Sequence, residues 1–350
     1  MATLSWIIFR SVVARMGQLN FVPSTRTIAA ALGLALFVAA GTSSLDSAQA
    51  ASSYPDKAIR IVVGWAPGSG LDVSIRTITP RLSEVLGQPI IVDNRVGASG
   101  IVGTEIVAKA ASDGYTLLFA TTDLAINPAL FPSLPYDPVK DFAAVGRAVN
   151  FLYFLVVNSD LPARNVQELL VLAKSRPRSL SYASAGNGSP PHIGAEMFKQ
   201  LTKLDLVHVP YKGSAQALTD VISGQVQLMF VNTASSMPYV RSGRLRVLGI
   251  STAQRVAVAP EIPTIAEAGV PGYELVAWTG ILAPTATPRD IIVRLNRELV
   301  RLLETGEVRE KLLSQGSEVT PSTPEQFAKL IAVDTERLGR VVKTAKMRLD

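Results

Sequence analysis

Short apolar segments with strand character alternate with segments of helical periodicity along most of this 350-residue chain. The first apolar segment, residues 59–64, runs into a glycine-rich turn, and apolar residues then recur at helical spacing from Leu71 to Val85. Alternation of this kind builds a parallel or mixed sheet with helices on both faces. Because 48% of the residues are hydrophobic, the chain can bury a large core, and we expect two such α/β domains.

The same pattern continues to the end of the chain. Further strands are predicted at residues 90–92, 115–120, 151–157, 180–182, 206–209, 226–230 and 247–250. Helices are predicted at residues 71–85, 101–110, 166–174, 193–201, 215–222, 235–241, 289–304, 307–315 and 324–343. Gly224 and Gly243 follow two of these helices and are the predicted C-terminal stops.

The residue composition excludes several kinds of site. Cysteine is absent and there are only two histidines, so thiolate metal sites, cysteine nucleophiles and histidine-rich metal centres are not available. The formal charge of +6 raises the question of nucleic acid. However, the densest basic group, Arg241, Arg244 and Arg246, lacks interleaved aromatic residues for base stacking. We therefore expect no metal, no cofactor and no nucleic-acid partner.

Residues 1–50 are predicted to form a signal peptide. Arg26 precedes an apolar run at residues 28–40, which is too short to be a comfortable membrane span. Small and polar residues follow and end in Ala48-Gln49-Ala50, an A-x-A cleavage pattern. The mature chain is then expected to begin at Ala51. A membrane anchor and a buried helix are the alternative interpretations of this segment.

The position of the first residue is a separate question. The 25 residues before Arg26 are long for the basic part of a signal peptide, and a start at Met16 instead of Met1 gives a more ordinary length. With either start, we expect export across the cytoplasmic membrane. The mature protein is then predicted to lie in the periplasm.

Three loops rich in glycine and serine lie where a predicted strand is followed by a predicted helix. In open α/β sheets, ligands bind at the carboxyl ends of strands, and N–H groups at helix N-termini attract anions. Glycine lets the backbone approach a ligand closely, while serine and asparagine side chains add directed hydrogen bonds. The loops are Pro67-Gly68-Ser69-Gly70, Ser184-Ala185-Gly186-Asn187-Gly188-Ser189 and Tyr211-Lys212-Gly213-Ser214.

Catalytic motifs are missing from the predicted mature chain. It contains no phosphate loop, no dinucleotide fingerprint after the first strand and no G-x-S-x-G elbow. A secreted serine hydrolase that pairs Ser184 or Ser189 with His192 is the catalytic alternative, although neither serine has an elbow context. Asp72 is a conceivable general base, but an acid at a helix start is typical of a cap or dipole partner. We therefore expect a binding protein and not an enzyme.

Several motifs, in order along the mature chain, resemble one family. They are Tyr54-Pro55-x-Lys57, Pro67-Gly68, Asp72, Gly87-Gln88-Pro89, Val92-Asp93-Asn94-Arg95, Asp113-Gly114-Tyr115-Thr116, Ile126-Asn127-Pro128, Leu134-Pro135-Tyr136-Asp137-Pro138, residues 182–188, 208–214 and 224–230, and Pro263-Thr264-x-x-Glu267-Ala268-Gly269. This set is similar to the Bug family, the TctC-like receptors of tripartite tricarboxylate transport systems.

The resemblance implies a type II periplasmic-binding-protein fold with two α/β lobes around a ligand cleft. Lobe 1 is then residues 51–153 and 277–350, and lobe 2 is residues 154–276. The expected ligand is a small organic carboxylate, held mainly by backbone N–H groups and ordered water. The implied partners are the membrane subunits of a tripartite tricarboxylate system, with a sensor-kinase ectodomain as the alternative. We expect the receptor to be a monomer.

The family's binding positions carry over to specific residues of this chain. They are Pro67, Gly68, Ser69 and Gly70 in the first loop, Thr121 and Thr122 at a strand end, Ser184, Ala185, Gly186, Asn187, Gly188 and Ser189 in the second loop, and Tyr211, Lys212, Gly213, Ser214 and Asn232 beside it. Trp65 and Leu71, on either side of the first loop, are further predicted ligand contacts. The carried-over roles are ligand binding only, with no catalytic residue.

This sequence departs from the family's pattern in and beside the first and second loops. The family commonly has Gly-Gly-Ser-Thr-Asp where this chain has residues 68–72, Gly-Ser-Gly-Leu-Asp. Val231 stands where the family often has aspartate, and Pro190-Pro191 crowds the second loop. Trp65 and Trp278 either line the pocket or pack inside the lobes. The side-chain pocket is therefore expected to be less polar, and a ligand with an aromatic or apolar portion is as plausible as citrate.

Overall fold

Eleven strands form in the part of the chain that the structure describes, residues 54–256, 259–304 and 306–347. The predicted signal peptide lies outside these residues. In this computed structural model the strands are β1 (Ile59–Val63), β2 (Ile90–Asn94), β3 (Thr116–Thr121), β4 (Phe142–Phe151), β5 (Tyr153–Asn158), β6 (Ser181–Ser184), β7 (Val207–Pro210), β8 (Leu228–Asn232), β9 (Leu245–Ile250), β10 (Ala277–Pro284) and β11 (Ser317–Val319).

Ten α-helices connect and cover these strands within the same ranges. They are α1 (Gly70–Leu86), α2 (Ile101–Ala108), α3 (Asp123–Leu130), α4 (Val166–Ser175), α5 (Pro190–Thr202), α6 (Ser214–Ile222), α7 (Thr233–Arg241), α8 (Arg289–Glu304), α9 (Gly306–Ser314) and α10 (Pro324–Thr344). A short 3₁₀ turn, Ala98–Gly100, precedes α2. Among the described residues, none of the helices combines the length and apolar character that crossing a bilayer requires.

The first sheet has the strand order β2-β1-β3-β10-β4-β11. Strand β1 pairs in parallel with both β2 and β3, whereas β10 runs antiparallel to β3 and β4. Because β1, β2 and β3 are parallel, the segments that follow them emerge at one edge of the sheet. These segments are the loop that leads into α1, the turn before α2, and the start of α3.

The second sheet repeats this plan with the order β7-β6-β8-β5-β9. Strand β6 pairs in parallel with β7 and β8, and β5 runs antiparallel to β8 and β9. In each sheet, the antiparallel strand beside the third parallel strand is the one at which the chain arrives from the other sheet: β10 in the first and β5 in the second. The two sheets with their helices are the two α/β lobes that the sequence predicts.

The chain passes from the first sheet to the second between β4 and β5, and it returns through the segment before β10. Ser251, which is fully buried, joins the two passages. Its hydroxyl accepts a hydrogen bond from the N–H of Tyr153 at 3.2 Å and donates to the carbonyl of Leu275 at 2.6 Å. These two hydrogen bonds hold the outgoing and the returning passage together at the crossover.

The C-terminal helix α10 packs on both lobes. Trp278 on β10 donates its indole N–H to Asp334 of α10 at 2.9 Å. Further along the helix, Leu338 and Val341 belong to the same buried cluster as Phe198 of α5. The lobe boundaries at residues 153 and 277 therefore remain a prediction, because α10 contributes to the packing of both lobes.

The predicted strands and helices are all confirmed with shifts of at most three residues at their ends, and the predicted 151–157 strand begins at Tyr153 because Phe151 still belongs to β4. The prediction missed β4, β10, β11 and α3. Strand β10 is buried along its whole length, so it lacks the alternation that reveals a strand. Helix α3 is short and contains Pro128, which argues against a helix in sequence.

Candidate functional site

The three predicted loops all lie at the carboxyl ends of parallel strands. The first follows β1, the second follows β6, and the third follows β7. The second and third loops contact each other, because the N–H of Tyr211 donates to the carbonyl of Ser184 at 3.1 Å. Among the described residues, no hydrogen bond joins the first loop to either of them. The site is therefore built from two separate halves, one on each sheet.

Internal hydrogen bonds hold the first loop in shape. The Gly68 N–H, at a left-handed φ of 80°, donates to the Asp72 carboxylate at 2.9 Å. The Ser69 hydroxyl caps α1 by accepting from the N–H of Asp72 at 3.3 Å. In the described chain, the N–H groups of Gly70 and Leu71 at the start of α1 then have no protein acceptor. The free donors of this half therefore lie at Gly70 and Leu71, and Gly68 and Ser69 serve the loop itself.

Asp72 fastens this loop to its surroundings. The side chain of Asn94 donates to it at 2.9 Å, and Arg76 forms an ion pair with it. Burial by itself would raise the pKa of Asp72, but hydrogen bonds from Gly68, Asn94 and Arg76 hold this pKa below its ordinary value. Asp72 is therefore an ionised structural acid at a helix start, as the sequence favoured, with its oxygens already occupied by donors.

The second loop uses most of its own donors. The Gly186 N–H donates to the Ser184 hydroxyl at 3.2 Å, and the Ser189 N–H donates to the carbonyl of Gly186 at 3.2 Å. The Gly188 N–H donates to Nδ1 of His192 at 3.1 Å. Within the described residues, the N–H groups of Ala185 and Asn187 have no protein acceptor.

Helix α5 begins directly after this loop with Pro190 and Pro191. Proline has no N–H, so two of the positions that usually offer N–H donors at a helix N-terminus offer none here. The N–H of His192 is the next donor along the helix, and in the described chain it has no protein acceptor. The second half of the site therefore presents fewer helix donors than its topology allows.

A stack of three rings contacts the second loop through His192. The rings of His192 and His208 lie 3.9 Å apart between centroids, and those of His208 and Tyr182 lie 4.7 Å apart. Burial lowers the pKa of His192 to about 3 and that of His208 to about 4. Both imidazoles are therefore neutral at ordinary pH, which lets Nδ1 of His192 accept the hydrogen bond from Gly188.

The structure does not form the serine–histidine pairs of the hydrolase alternative. Ser184 contacts Nε2 of His208 at 2.7 Å, and the Ser189 hydroxyl donates to the carbonyl of Gly186 at 2.7 Å. His192 bonds to Gly188 instead of either serine. Ser184 is also fully buried, so its hydroxyl shapes the loop. Ser184 thus supports the second loop from inside the lobe.

The third loop is tied down by Tyr211. Its hydroxyl donates to the Asp220 carboxylate at 2.6 Å, and burial together with this bond raises the pKa of Tyr211 to about 12. Gly213 has a φ of 128°, which favours glycine, and Ser214 begins α6 without a side-chain cap. Lys212 is exposed and forms no ion pair with any described residue.

The remaining predicted residues have different surroundings. Thr122 is buried and its hydroxyl donates to the carbonyl of Trp278 at 3.5 Å, so it does not face open space. The Asn232 side chain accepts from the N–H of Ala234 at 3.0 Å and caps α7. Pro67 is exposed in the first loop. Thr121, at the end of β3, lies beside a cavity.

The two tryptophans have opposite positions. Trp278 is 1% exposed, donates to Asp334 and packs edge-on against Phe327 with ring centroids 5.2 Å apart. It is a core residue of the first lobe. Trp65 is half-buried just before the first loop and lines the same cavity as Leu71 and Thr121. For Trp278 the structure thus shows packing inside the lobe, and for Trp65 contact with the ligand stays a prediction.

This cavity has a volume of about 20 Å³ and contains a residue that the sequence analysis missed, Asp123. Asp123 is only 8% exposed, and burial raises the pKa of its carboxyl to about 7, although a hydrogen bond from the Trp65 indole opposes the rise. The sequence feature that could have identified Asp123 is its position as an acidic residue next to the predicted Thr121 and Thr122 at the end of strand β3. Within the described ranges, no group of acidic, histidine or cysteine side chains could hold a metal ion.

Two α/β lobes of this topology, with donor-bearing loops at the carboxyl ends of their parallel strands, define the class of periplasmic solute-binding proteins with the type II fold. The sequence profile of the tripartite tricarboxylate transporter family receptors, TctC, matches residues 74–347. The chain belongs to this family. Its members are binding proteins, and the family is periplasmic.

Individual relatives agree with this assignment. BugT of Bordetella pertussis is 34% identical over 318 residues, which cover 90% of this chain and 97% of BugT. The structure of Rpa4515 from R. palustris, determined with adipate, shares 36% identity with a TM-score of 0.74 and covers 85% of this chain and 100% of that one. MatC from Rhodopseudomonas palustris, with bound malate, shares 33% identity with a TM-score of 0.70 and covers 83% of this chain and all of MatC.

Proposed function

We propose that this protein is a periplasmic receptor that captures a small organic carboxylate between its two lobes and delivers it to the membrane subunits of a tripartite tricarboxylate transporter. The observation that carries the proposal is the set of unused backbone donors on the two sheets. Gly70 and Leu71 offer N–H groups from the first lobe, and Ala185 and Asn187 offer them from the second.

These donors suit a carboxylate for a physical reason. A buried carboxylate is costly unless several donors replace its water, and N–H groups at helix starts and turns are oriented before the ligand arrives. Donors on both lobes also favour the closed arrangement, because only that arrangement brings both sets of donors to the same ligand. Adipate and malate, which occur with two of the similar structures, are ligands of the proposed class.

Export is part of the proposal. Residues 1–50 are proposed to be removed after Ala50, so that the mature receptor works as a monomer in the periplasm. Mass analysis of the protein recovered from the periplasm should identify Ala51 as its first residue. An intact N-terminus held in the membrane would contradict this route.

Isothermal calorimetry and scattering test the binding proposal together. Linear mono- and dicarboxylates, hydroxy acids and amino acids are titrated into the mature protein, and the ligand is recovered and examined for chemical change. We expect saturable one-to-one binding of at least one acid, an unchanged ligand, and a smaller radius of gyration in small-angle X-ray scattering at saturation. The matching amide and alcohol serve as control ligands and should not bind. Binding of the amide as tightly as the acid, or turnover of the ligand, would contradict the proposal.

A further inference from the structure

The cavity beside Trp65 lies where the parallel strands of the first sheet end. Its walls come from the loop after β1, the turn after β2 and the start of α3. Leu71, the second residue of α1, also lines the cavity, and its free N–H belongs to the first half of the proposed site, so the cavity adjoins that half. A volume of about 20 Å³ is room for one group of the size of a water molecule.

Among the described residues that line this cavity, Asp123 is the only one with an ionisable side chain. The groups that face it from the neighbouring elements are neutral: the indole of Trp65 lies near enough to oppose the rise in its pKa, and the phenols of Tyr136 and Tyr153, whose pKa values burial raises, lie close enough for its charge to raise them further. No Lys, Arg or His forms an ion pair with Asp123 anywhere in the described residues. A buried carboxyl of this kind lacks the cation that would compensate its charge.

We propose that the cavity beside Trp65 is a subsite for an ammonium group, with Asp123 as its acceptor, so that the ligand is an amino-substituted carboxylate instead of a dicarboxylate. This inference rests on the proposed function, since the carboxylate of the same ligand occupies the backbone donors. An ammonium supplies the missing cation and is small enough for the cavity. A second carboxylate would meet Asp123 at close range, and the repulsion would oppose its binding.

The pH dependence of binding follows from the same contact. The carboxyl of Asp123 has a pKa of about 7 in the free protein and must be ionised to hold an ammonium. Binding therefore releases a proton below pH 7, and affinity should rise from pH 6 to pH 8 by about tenfold. His192 and His208 stay neutral in this range, because burial lowers their pKa values to about 3 and 4. A dicarboxylate should show the opposite trend.

The test compares ligands of equal length. Calorimetry at pH 6 and pH 8 uses 4-aminobutanoate, 5-aminopentanoate and 6-aminohexanoate, each against the dicarboxylate and the hydroxy acid of the same chain length. The wild-type protein should prefer the amino acid of the best-fitting length. In Asp123→Asn this preference should fall by about thirtyfold, because one partner of a buried charge pair is removed, and the pH dependence should disappear. Asp290→Asn is the control, since Asp290 is an exposed acid in the first turn of another helix, α8.

Each outcome decides a different claim. A wild-type preference for the dicarboxylate that Asp123→Asn leaves unchanged would overturn the ammonium subsite and leave the proposed function standing. Equal binding of the hydroxy acid would show a neutral donor in place of an ammonium and would also overturn the subsite. Failure of every acid to bind a folded wild-type protein would overturn both proposals. If Asp123→Asn does not fold, the pH profile of the wild-type protein still distinguishes an ammonium ligand from a dicarboxylate.

Discussion

The two lobes share one topology but present different chemistry at the corresponding edge. Each has three parallel strands in the same order, followed by the antiparallel strand at which the chain arrives from the other lobe. In the first lobe, helix α1 starts at Gly70 with free N–H groups, and a buried acid, Asp123, lies beside it. In the second lobe, the corresponding helix starts with Pro190-Pro191, and a neutral histidine stack supports the loop.

This difference separates what topology provides from what individual residues provide. Parallel strands bring loops to one edge of either sheet whatever the residues in the loops are. The number of free N–H groups at that edge then depends on individual residues. A proline has no N–H, and an imidazole nitrogen can accept a hydrogen bond from an N–H that would otherwise be free. We infer that the first lobe supplies polarity and selectivity, whereas the second supplies a rigid backbone surface. The following predictions test this division.

The largest expected effect comes from the second loop. Gly186 has a φ of 127°, and a Cβ there would lie 3.2 Å from the carbonyl oxygen of Tyr211. Gly186→Val should therefore distort the loop and abolish ligand binding in calorimetry while the far-ultraviolet circular dichroism stays that of a folded protein. Gly243→Val is the control, because Gly243 also has a positive φ but nothing lies within 4 Å of its Cβ position. Normal affinity in Gly186→Val would show that the second loop is not part of the site.

The second-largest effect is expected from a substitution that places a proline at the start of α1 in the first lobe, as α5 has in the second lobe. Gly70→Pro removes one free N–H, and proline is well tolerated at the first position of a helix. The preceding Ser69 already has the extended conformation that proline requires, with ψ of 158°. A lost hydrogen bond to a charged ligand costs about 1.5–3 kcal/mol, so affinity should fall by about tenfold to a hundredfold.

Gly70→Ala is the matched control for this variant. It keeps the N–H and meets the same neighbour, since a Cβ at this position would lie 3.4 Å from the ring of Phe151. Its affinity should remain close to that of the wild type. If Gly70→Ala weakens binding as much as Gly70→Pro, contact with Phe151 and not the N–H is responsible.

The stability of the two lobes should respond to acid in opposite directions. The pKa values of His192 and His208 are lowered to about 3 and 4, so their contribution to stability is complete above pH 6.5 and is lost as the pH falls. The pKa of Asp123 is raised to about 7, so its contribution is complete below pH 3.8 and is lost as the pH rises towards 7. Between pH 7 and 4.5, each group should change the free energy of unfolding by about 2–3 kcal/mol.

Urea unfolding at a series of pH values separates these contributions. Asp123→Asn should lose stability more steeply than the wild type on acidification, because the opposing acid is gone. His192→Asn should lose it less steeply, and its side-chain oxygen can still accept from Gly188. Identical pH slopes for the three proteins would contradict the buried, neutral state of these groups.

The smallest effect is expected at Lys212. Its side chain is exposed and has no ion-pair partner among the described residues. Lys212→Met should weaken binding by about threefold to fivefold at low salt, and the difference should vanish at high salt, because a solvated charge acts through long-range attraction. Loss of all affinity in this variant, with Gly186→Val unaffected, would mean that a side-chain salt bridge anchors the ligand.

Local sequence predicted where the glycine-rich loops of the candidate site lie in the fold, because each combines a strand end, a glycine and a helix start. The role of each residue inside them was not predictable. Gly68 and Ser69 are predicted ligand contacts, and that stays a prediction; the structure adds that the Gly68 N–H and the Ser69 hydroxyl already bond to Asp72, whereas Gly70 and Leu71 have free N–H groups. The groups that accept hydrogen bonds from the loop N–H groups reach their positions only in the folded loop, so local sequence does not identify them.

The sequence by itself determined the alternation of strands and helices, the family, and the loops that carry the donors, since all of these depend on neighbours along the chain. Only the tertiary structure decided that Trp278 lies in the core while Trp65 lines a cavity, and that Asp123 is buried without a cation. It also paired His192 with His208, which belong to a helix and a strand that follow one another in the chain but meet only in the folded lobe. Burial and charge compensation depend on contacts between distant segments, and no local pattern records them.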